Sequence, residues 1–178
     1  MYKYLFSLLL FLSISVMIYS QDMDQISMDT KYKMNYNEVI NALTSGKIDV
    51  LDKYLTSDFI EHDPSPMMSK KTGIDAVKEI FSNYHKIFPD MKAQVHNIAV
   101  SGDYLFAYVT FTGTTSEQYM GMPANHKMTI NQVDLIRFKG DKMAEHWGFT
   151  SNEDIMNMMQ QDKSMGHDNM KKPGMDNK

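Results

Sequence analysis

The stretch from residue 128 to 150 carries the clearest alternation of apolar and polar positions in the chain. Met128, Ile130, Gln132, Asp134, Ile136 and Phe138 share one face of an extended strand by period two. Lys139-Gly140-Asp141 reads as a tight turn, because glycine supplies the positive φ such hairpins need. On the return strand Ala144, His146 and Gly148 fall on one face, and Met143, Glu145, Trp147 and Phe149 on the other. Two more strands are predicted over 91–100 and 104–112, joined by Ser101-Gly102-Asp103. Upstream the period becomes helical. From Lys33, the residues Tyr36, Val39, Ile40 and Leu43 recur at i, i+3, i+4 and i+7, and Gly46 is a natural stop. Asp49 can cap a short second helix carrying Val50, Leu51, Tyr54 and Leu55. Residues 58–62 predict a brief strand, ended by Asp63-Pro-Ser-Pro66, where the prolines stop ladder bonding. Thr72 with Asp75 resembles a capping box. The helix it opens aligns Ile74, Val77, Ile80, Phe81, Tyr84 and Phe88, and Pro89 ends it. A last short helix is expected over 152–161. Helices first and an antiparallel meander second predict an α+β fold, with the sheet curling over the helices.

The ends of the chain have a different character. Lys3 is the only charge before an apolar run from Leu5 to Ile18, and small Ser20 precedes polar Gln21-Asp22. That three-part pattern is the pattern of a secretory signal peptide over residues 1–20, and it predicts export to the periplasm or the medium. No membrane association is expected once this leader is cleaved. Residues 21–32 read as a flexible lead-in, 33–161 as a single domain, and 162–178 as a disordered tail poor in core-forming residues. The formal charge is −4, and no basic patch suggests a nucleic-acid partner. Cysteine is absent, which excludes disulfides, thiolate metal sites and a cysteine nucleophile. An exported domain of this kind must rest on its apolar core.

Chemistry concentrates in the 128–150 hairpin. Asp134 lies between apolar Ile130 and Ile136, so burial would destabilise its charged form, as suits a general acid/base. The alternative is a structural carboxylate held by another donor; Arg137 is a poor partner, since alternation turns it to the other face. His146 can act as base or hydrogen-bond donor, with open space beside Ala144 and Gly148, or can be a satisfied core histidine. His62 ends the first strand near the expected cavity mouth, for binding or for loop packing. Trp147 offers a stacking surface or plain core area, and Tyr84 and Gln132 offer polar ends for orienting a substrate. No HExxH, GxSxG, phosphate loop or dinucleotide fingerprint is present, and His85, His96 and His126 lack metal-ligand spacing. Methionines crowd both ends, among them Met23, Met28, Met165, Met170 and Met175. Such thioether-rich tracts can bind Cu(I) or reflect compositional bias alone.

Several landmarks stand in a recognisable order. They are Asp58-Phe-Ile-Glu-His-Asp-Pro64, Gly73, Phe88-Pro-Asp90, Gly102-Asp103, Gly113-Thr-Thr, Met122-Pro-Ala, Asp134-Leu-Ile-Arg137 and Glu145-His-Trp147. Across about residues 34–160 the chain resembles the SnoaL-like polyketide cyclases, or ester cyclases, of the NTF2-like superfamily. The resemblance implies an α+β cone: three N-terminal helices packed on a strongly curved, mostly antiparallel sheet enclosing an apolar cavity, with the protein a homodimer. It also implies ring closure in a polyketide ester by acid–base proton transfer, with no metal or cofactor; for this chain the expected substrate is a small apolar or aromatic carbonyl compound. Isomerase or lyase chemistry needs the same proton moved at carbon. In the family pattern an aspartate acid/base follows the His-Trp pair. Here that position is Gly148, so Asp134 and His146 become the catalytic candidates, with His62, Tyr84, Gln132 and Trp147 around the substrate. The competing class is a non-catalytic ligand-binding or dimerisation module.

Overall fold

The computed structural model describes residues 28–63, 69–151 and 153–154. The expected leader, the Met-rich tail and most of the expected last helix lie outside the described residues. Helix α1 covers residues 28–45 and stops before Gly46. A 3-10 turn at Ile48–Val50 leads into the short α2 (Leu51–Tyr54), then β1 (Leu55–Glu61) and α3 (Gly73–Ile87). Four strands follow: β2 (Lys92–Ser101), β3 (Tyr104–Thr114), β4 (Lys127–Lys139) and β5 (Lys142–Thr150). The five strands form one sheet in the order β1-β5-β4-β3-β2, curled but not closed. The β2–β5 meander is antiparallel, and β1 joins its end by parallel pairing with β5, so the sheet is mixed. The expected three helices and α+β architecture are present.

The core lies between the helices and one face of the sheet. Tyr36, Ile40, Leu51, Leu55, Phe59 and Val77 meet Leu105, Ala107, Ile136, Phe138 and Met143 there, all of them buried. Residues 28–32 are helical rather than a flexible lead-in. Met28 and Tyr32 extend the stripe of Tyr36 backward at four-residue spacing, and Tyr32 stacks on Phe138 at 3.8 Å between ring centroids. The predicted caps do not form: Asp49 lies inside the 3-10 turn and α2 starts after Val50 without a side-chain cap bond, and Thr72 before α3 makes none either. Close approach sets the start of α3 instead. Gly73 has φ 62°, and a Cβ there would stand 2.2 Å from the Ser57 carbonyl oxygen, so no other residue fits unchanged.

One departure from strict alternation matters for the site. Arg137 pairs with Glu145, but Phe138 pairs with Met143, leaving Ala144 as an extra residue on β5. This bulge turns Met143 to the core side, where it is 1 % exposed, rather than outward with Glu145. The other face of the sheet keeps rows of apolar side chains. Tyr108, Val133 and Phe149 stand in register across β3, β4 and β5, as do Phe106, Leu135 and Trp147. Phe106, Tyr108, Val133 and Phe149 are exposed.

Candidate functional site

Between the helices and the curl of the sheet lies a cavity of about 180 Å³. That is the scale of a cavity able to hold a benzene-sized molecule. Most of its wall is apolar: Val39, Ile40 and Leu43 come from α1, Val77, Ile80 and Phe81 from α3, and Phe111, Met128 and Ile130 from the sheet. The polar groups are gathered in Tyr36, Glu61, Asp63, Gln132, Asp134 and His146, with Tyr84 on α3.

The sequence places these groups by simple periodicity. Gln132 and Asp134 follow the inward face of β4, and His146 takes the inward face of β5 beyond the bulge. Asp134 is 3 % exposed, and three donors converge on it. The Tyr36 hydroxyl donates to Oδ2 at 2.6 Å, while the Gln132 amide at 2.5 Å and His146 Nε2 at 3.3 Å reach Oδ1. The other ring nitrogen of His146, Nδ1, meets both oxygens of Glu61 at 2.7 and 2.8 Å. Parallel pairing makes this possible, because Glu61 of β1 is the register partner of His146 on β5.

Carboxylates on both sides decide the charge of His146. Burial alone would disfavour the imidazolium, but hydrogen bonds to Asp134 and Glu61 and their negative charges prevail, and the pKa is pushed up to about 10. At neutral pH both ring nitrogens therefore donate. Tyr36 stays a phenol, its pKa raised by burial, by the Asp134 charge and by the hydrogen bond to it. The Asp63 carboxyl is also raised, first by burial and then by Glu61, with Asp134 adding and His146 opposing. Tyr84 hydrogen-bonds Tyr119, whose hydroxyl is likewise raised by burial and by that neighbour.

The structure thus brings together Asp134, His146, Gln132 and Tyr84. It does not place His62 or Trp147 on the cavity wall. Their rings stack on each other, 4.2 Å apart and 3° from parallel, and His62 Nε2 lies 2.7 Å from Glu145. Both fall on the outward phase, Trp147 within β5 and His62 one residue past β1, in phase with exposed Ile60. Glu145 is also hydrogen-bonded by Arg137 Nε at 2.7 Å, so Arg137 is engaged away from Asp134. Glu61 and Asp63 were not anticipated from the sequence. The signal was available: Phe59, Glu61 and Asp63 are two residues apart, and buried Phe59 fixes which face looks inward. Among the described residues no His, Asp and Glu group is arranged to hold a metal ion.

Comparison with known proteins agrees with this fold. Solved structures sharing the fold include TsrD from Streptomyces laurentii, with TM-score 0.63 and 19% identity over 72% of this chain and 93% of that one. A protein from Acidithiobacillus ferrooxidans gives TM-score 0.64 and 21% identity over 74% of this chain and 95% of that one. A SnoaL-like polyketide cyclase from Agrobacterium tumefaciens gives 0.60 and 15% over 72% and 97%. No curated protein matches. The sequence itself matches the family described as SnoaL-like polyketide cyclase over residues 33–162. By that match, on the NTF2-like fold its neighbours share, this chain belongs to the SnoaL-like polyketide cyclase family.

Proposed function

We propose that the cavity catalyses a cyclase-, isomerase- or lyase-type reaction on a small apolar or aromatic carbonyl compound, by acid–base proton transfer without a cofactor. The observation that carries this reading is the Glu61–His146–Asp134 row on the wall of a mostly apolar cavity. An imidazolium in low-dielectric surroundings is a strong donor toward charge developing on a carbonyl oxygen. Its contact with Asp134, at 3.3 Å, is looser than its contact with Glu61, so Nε2 is the position a substrate oxygen would share. Asp134 and His146 hold the mobile proton between them, and Gln132 and Tyr84 orient the bound molecule. A carboxylate of this polar group accepts the proton leaving carbon. The polar side chains carry three carboxyls against one imidazolium, which favours a neutral substrate over an anionic one.

Two further parts of the proposal concern the chain as a whole. The apolar run of residues 5–18 supports export, to the periplasm or the medium. The exposed rows around Phe106, Tyr108, Val133 and Phe149 support a homodimer that covers the outer sheet face. One observation favours a second reading, a non-catalytic ligand-binding module: both oxygens of Asp134 are already engaged by three donors. Turnover separates the two readings. Screening neutral aromatic ketones and keto esters should find one that wild type converts, with Asp134→Asn and His146→Ala slower by about 10²-fold or more. Compounds that bind all three proteins with none of them converted by wild type would leave only the binding reading.

A further inference from the structure

We propose that Asp63 is the catalytic base of this cavity, held in place by the absence of a side chain at Gly148. This rests on the proton-transfer reading above and names the group that takes the proton from carbon. A Cβ at position 148 would lie 2.8 Å from Asp63 Oδ2 and 2.9 Å from Gln132 Nε2, closer than such atoms approach in real proteins. The glycine hydrogen leaves room that the Asp63 carboxylate and the Gln132 amide fill from other elements. Asp63 therefore puts a carboxylate against β5, beside His146, without any residue of β5 supplying one.

The other two carboxylates have their oxygens engaged. Asp134 accepts from Tyr36, Gln132 and His146, while Glu61 accepts from His146 Nδ1 and from the Asp63 backbone N–H at 2.9 Å. Among the described residues none donates a hydrogen bond to the Asp63 carboxylate, which also lines the cavity. A base needs an available lone pair facing the substrate, and Asp63 alone of the three meets that condition. Burial and the neighbouring Glu61 charge also raise its proton affinity, which strengthens it as a base. In the reaction, an Asp63 oxygen takes the proton from a carbon next to a carbonyl. The C–H electron pair moves into the new C=C bond and the carbonyl π pair onto oxygen, opposite the His146 donor. The same proton returns to the product at oxygen or carbon, so no oxidant or co-reactant is consumed.

The test uses 5-nitrobenzisoxazole, a neutral aromatic probe from which a base removes one carbon-bound proton as the N–O bond breaks, giving a coloured phenolate. Wild type should accelerate this opening beyond an equal concentration of acetate. Asp63→Asn should be slower by about tenfold or more. So should Gly148→Ala, whose methyl group would take the space of the Asp63 oxygen while displacing only flexible side-chain ends. Both variants should still unfold cooperatively. A wild-type rate no better than acetate, or either variant as fast as wild type, would overturn the assignment. Acceleration that survives Asp63→Asn but disappears in His146→Ala would also remove Asp63 as the base, and would leave the proton-transfer reading of the cavity standing.

Discussion

The same two strands carry the same chemical pair on both of their faces. On the inner face Glu61 of β1 meets His146 of β5; on the outer face His62, just past the end of β1, meets Glu145 of β5. Each contact is about as short as the other, at 2.7 Å. Their surroundings differ. The inner histidine has a second carboxylate, Asp134, on its other nitrogen and apolar walls beyond, so its charge is locked in well above neutral pH. The outer histidine lies flat on Trp147, and its glutamate has Arg137 as an alternative cation. A histidine–carboxylate contact alone therefore does not mark a site. Burial, a second anion and an adjoining cavity together turn one pair into chemistry, while the other remains a surface clasp.

The largest effect that would sharpen this contrast is removal of the inner cation. His146→Ala leaves Glu61 and Asp134 buried without their shared partner, and should cost about 3–5 kcal/mol by urea unfolding at neutral pH. A loss below about 1 kcal/mol would place the inner pair in the same class as exposed pairs. Next in size is the pH response of stability. The folded state binds the His146 proton more tightly than the unfolded chain does. That contribution is complete below about 6.5 and is lost as pH rises through about 10. Glu145 behaves in the opposite sense, because hydrogen bonds from His62 and Arg137 lower its pKa. Its contribution is present above about 4.5 and is lost as pH falls through the lower folded value. Thermal melts from pH 3 to 10 should therefore show an alkaline decline that His146→Ala removes and an acid decline that Glu145→Gln reduces. The smallest effect belongs to the outer pair. His62→Ala should cost about 1 kcal/mol or less in unfolding and leave affinity for a cavity ligand unchanged by calorimetry.

The sequence reading succeeded where one period governs a long segment. Alternation from Met128 to Phe138 correctly put Gln132, Asp134 and Ile136 on one wall, and the helical stripe of α1 brought Tyr36 and Ile40 over it. It failed where tertiary register intervenes. The parallel pairing of β1 with β5 joins residues 85 positions apart, so no local pattern announces the Glu61–His146 contact. The prolines after Asp63 drew attention to chain termination and away from the inward phase of Phe59, Glu61 and Asp63. His62 was assigned to the cavity mouth because it ends the first strand, and Trp147 to the cavity for its stacking surface, although each has the outward phase opposite to its neighbour Glu61 or His146. The bulge at Ala144, which brings Met143 inward, depends on how β4 and β5 pair and leaves no trace in composition. Gly148 was read as a missing group; in the fold its lack of a side chain is what lets Asp63 approach.

The central claim, that His146 is an imidazolium held between two carboxylates beside an apolar cavity, can be measured directly. Long-range proton–nitrogen spectra of histidine-labelled protein, assigned with the His146→Gln variant, report the protonation of each ring nitrogen. The account predicts both His146 nitrogens protonated at pH 7.5, with the ring losing its proton only as pH approaches about 10. A neutral His146 ring at pH 7.5, titrating near the ordinary value of about 6.5, would contradict it.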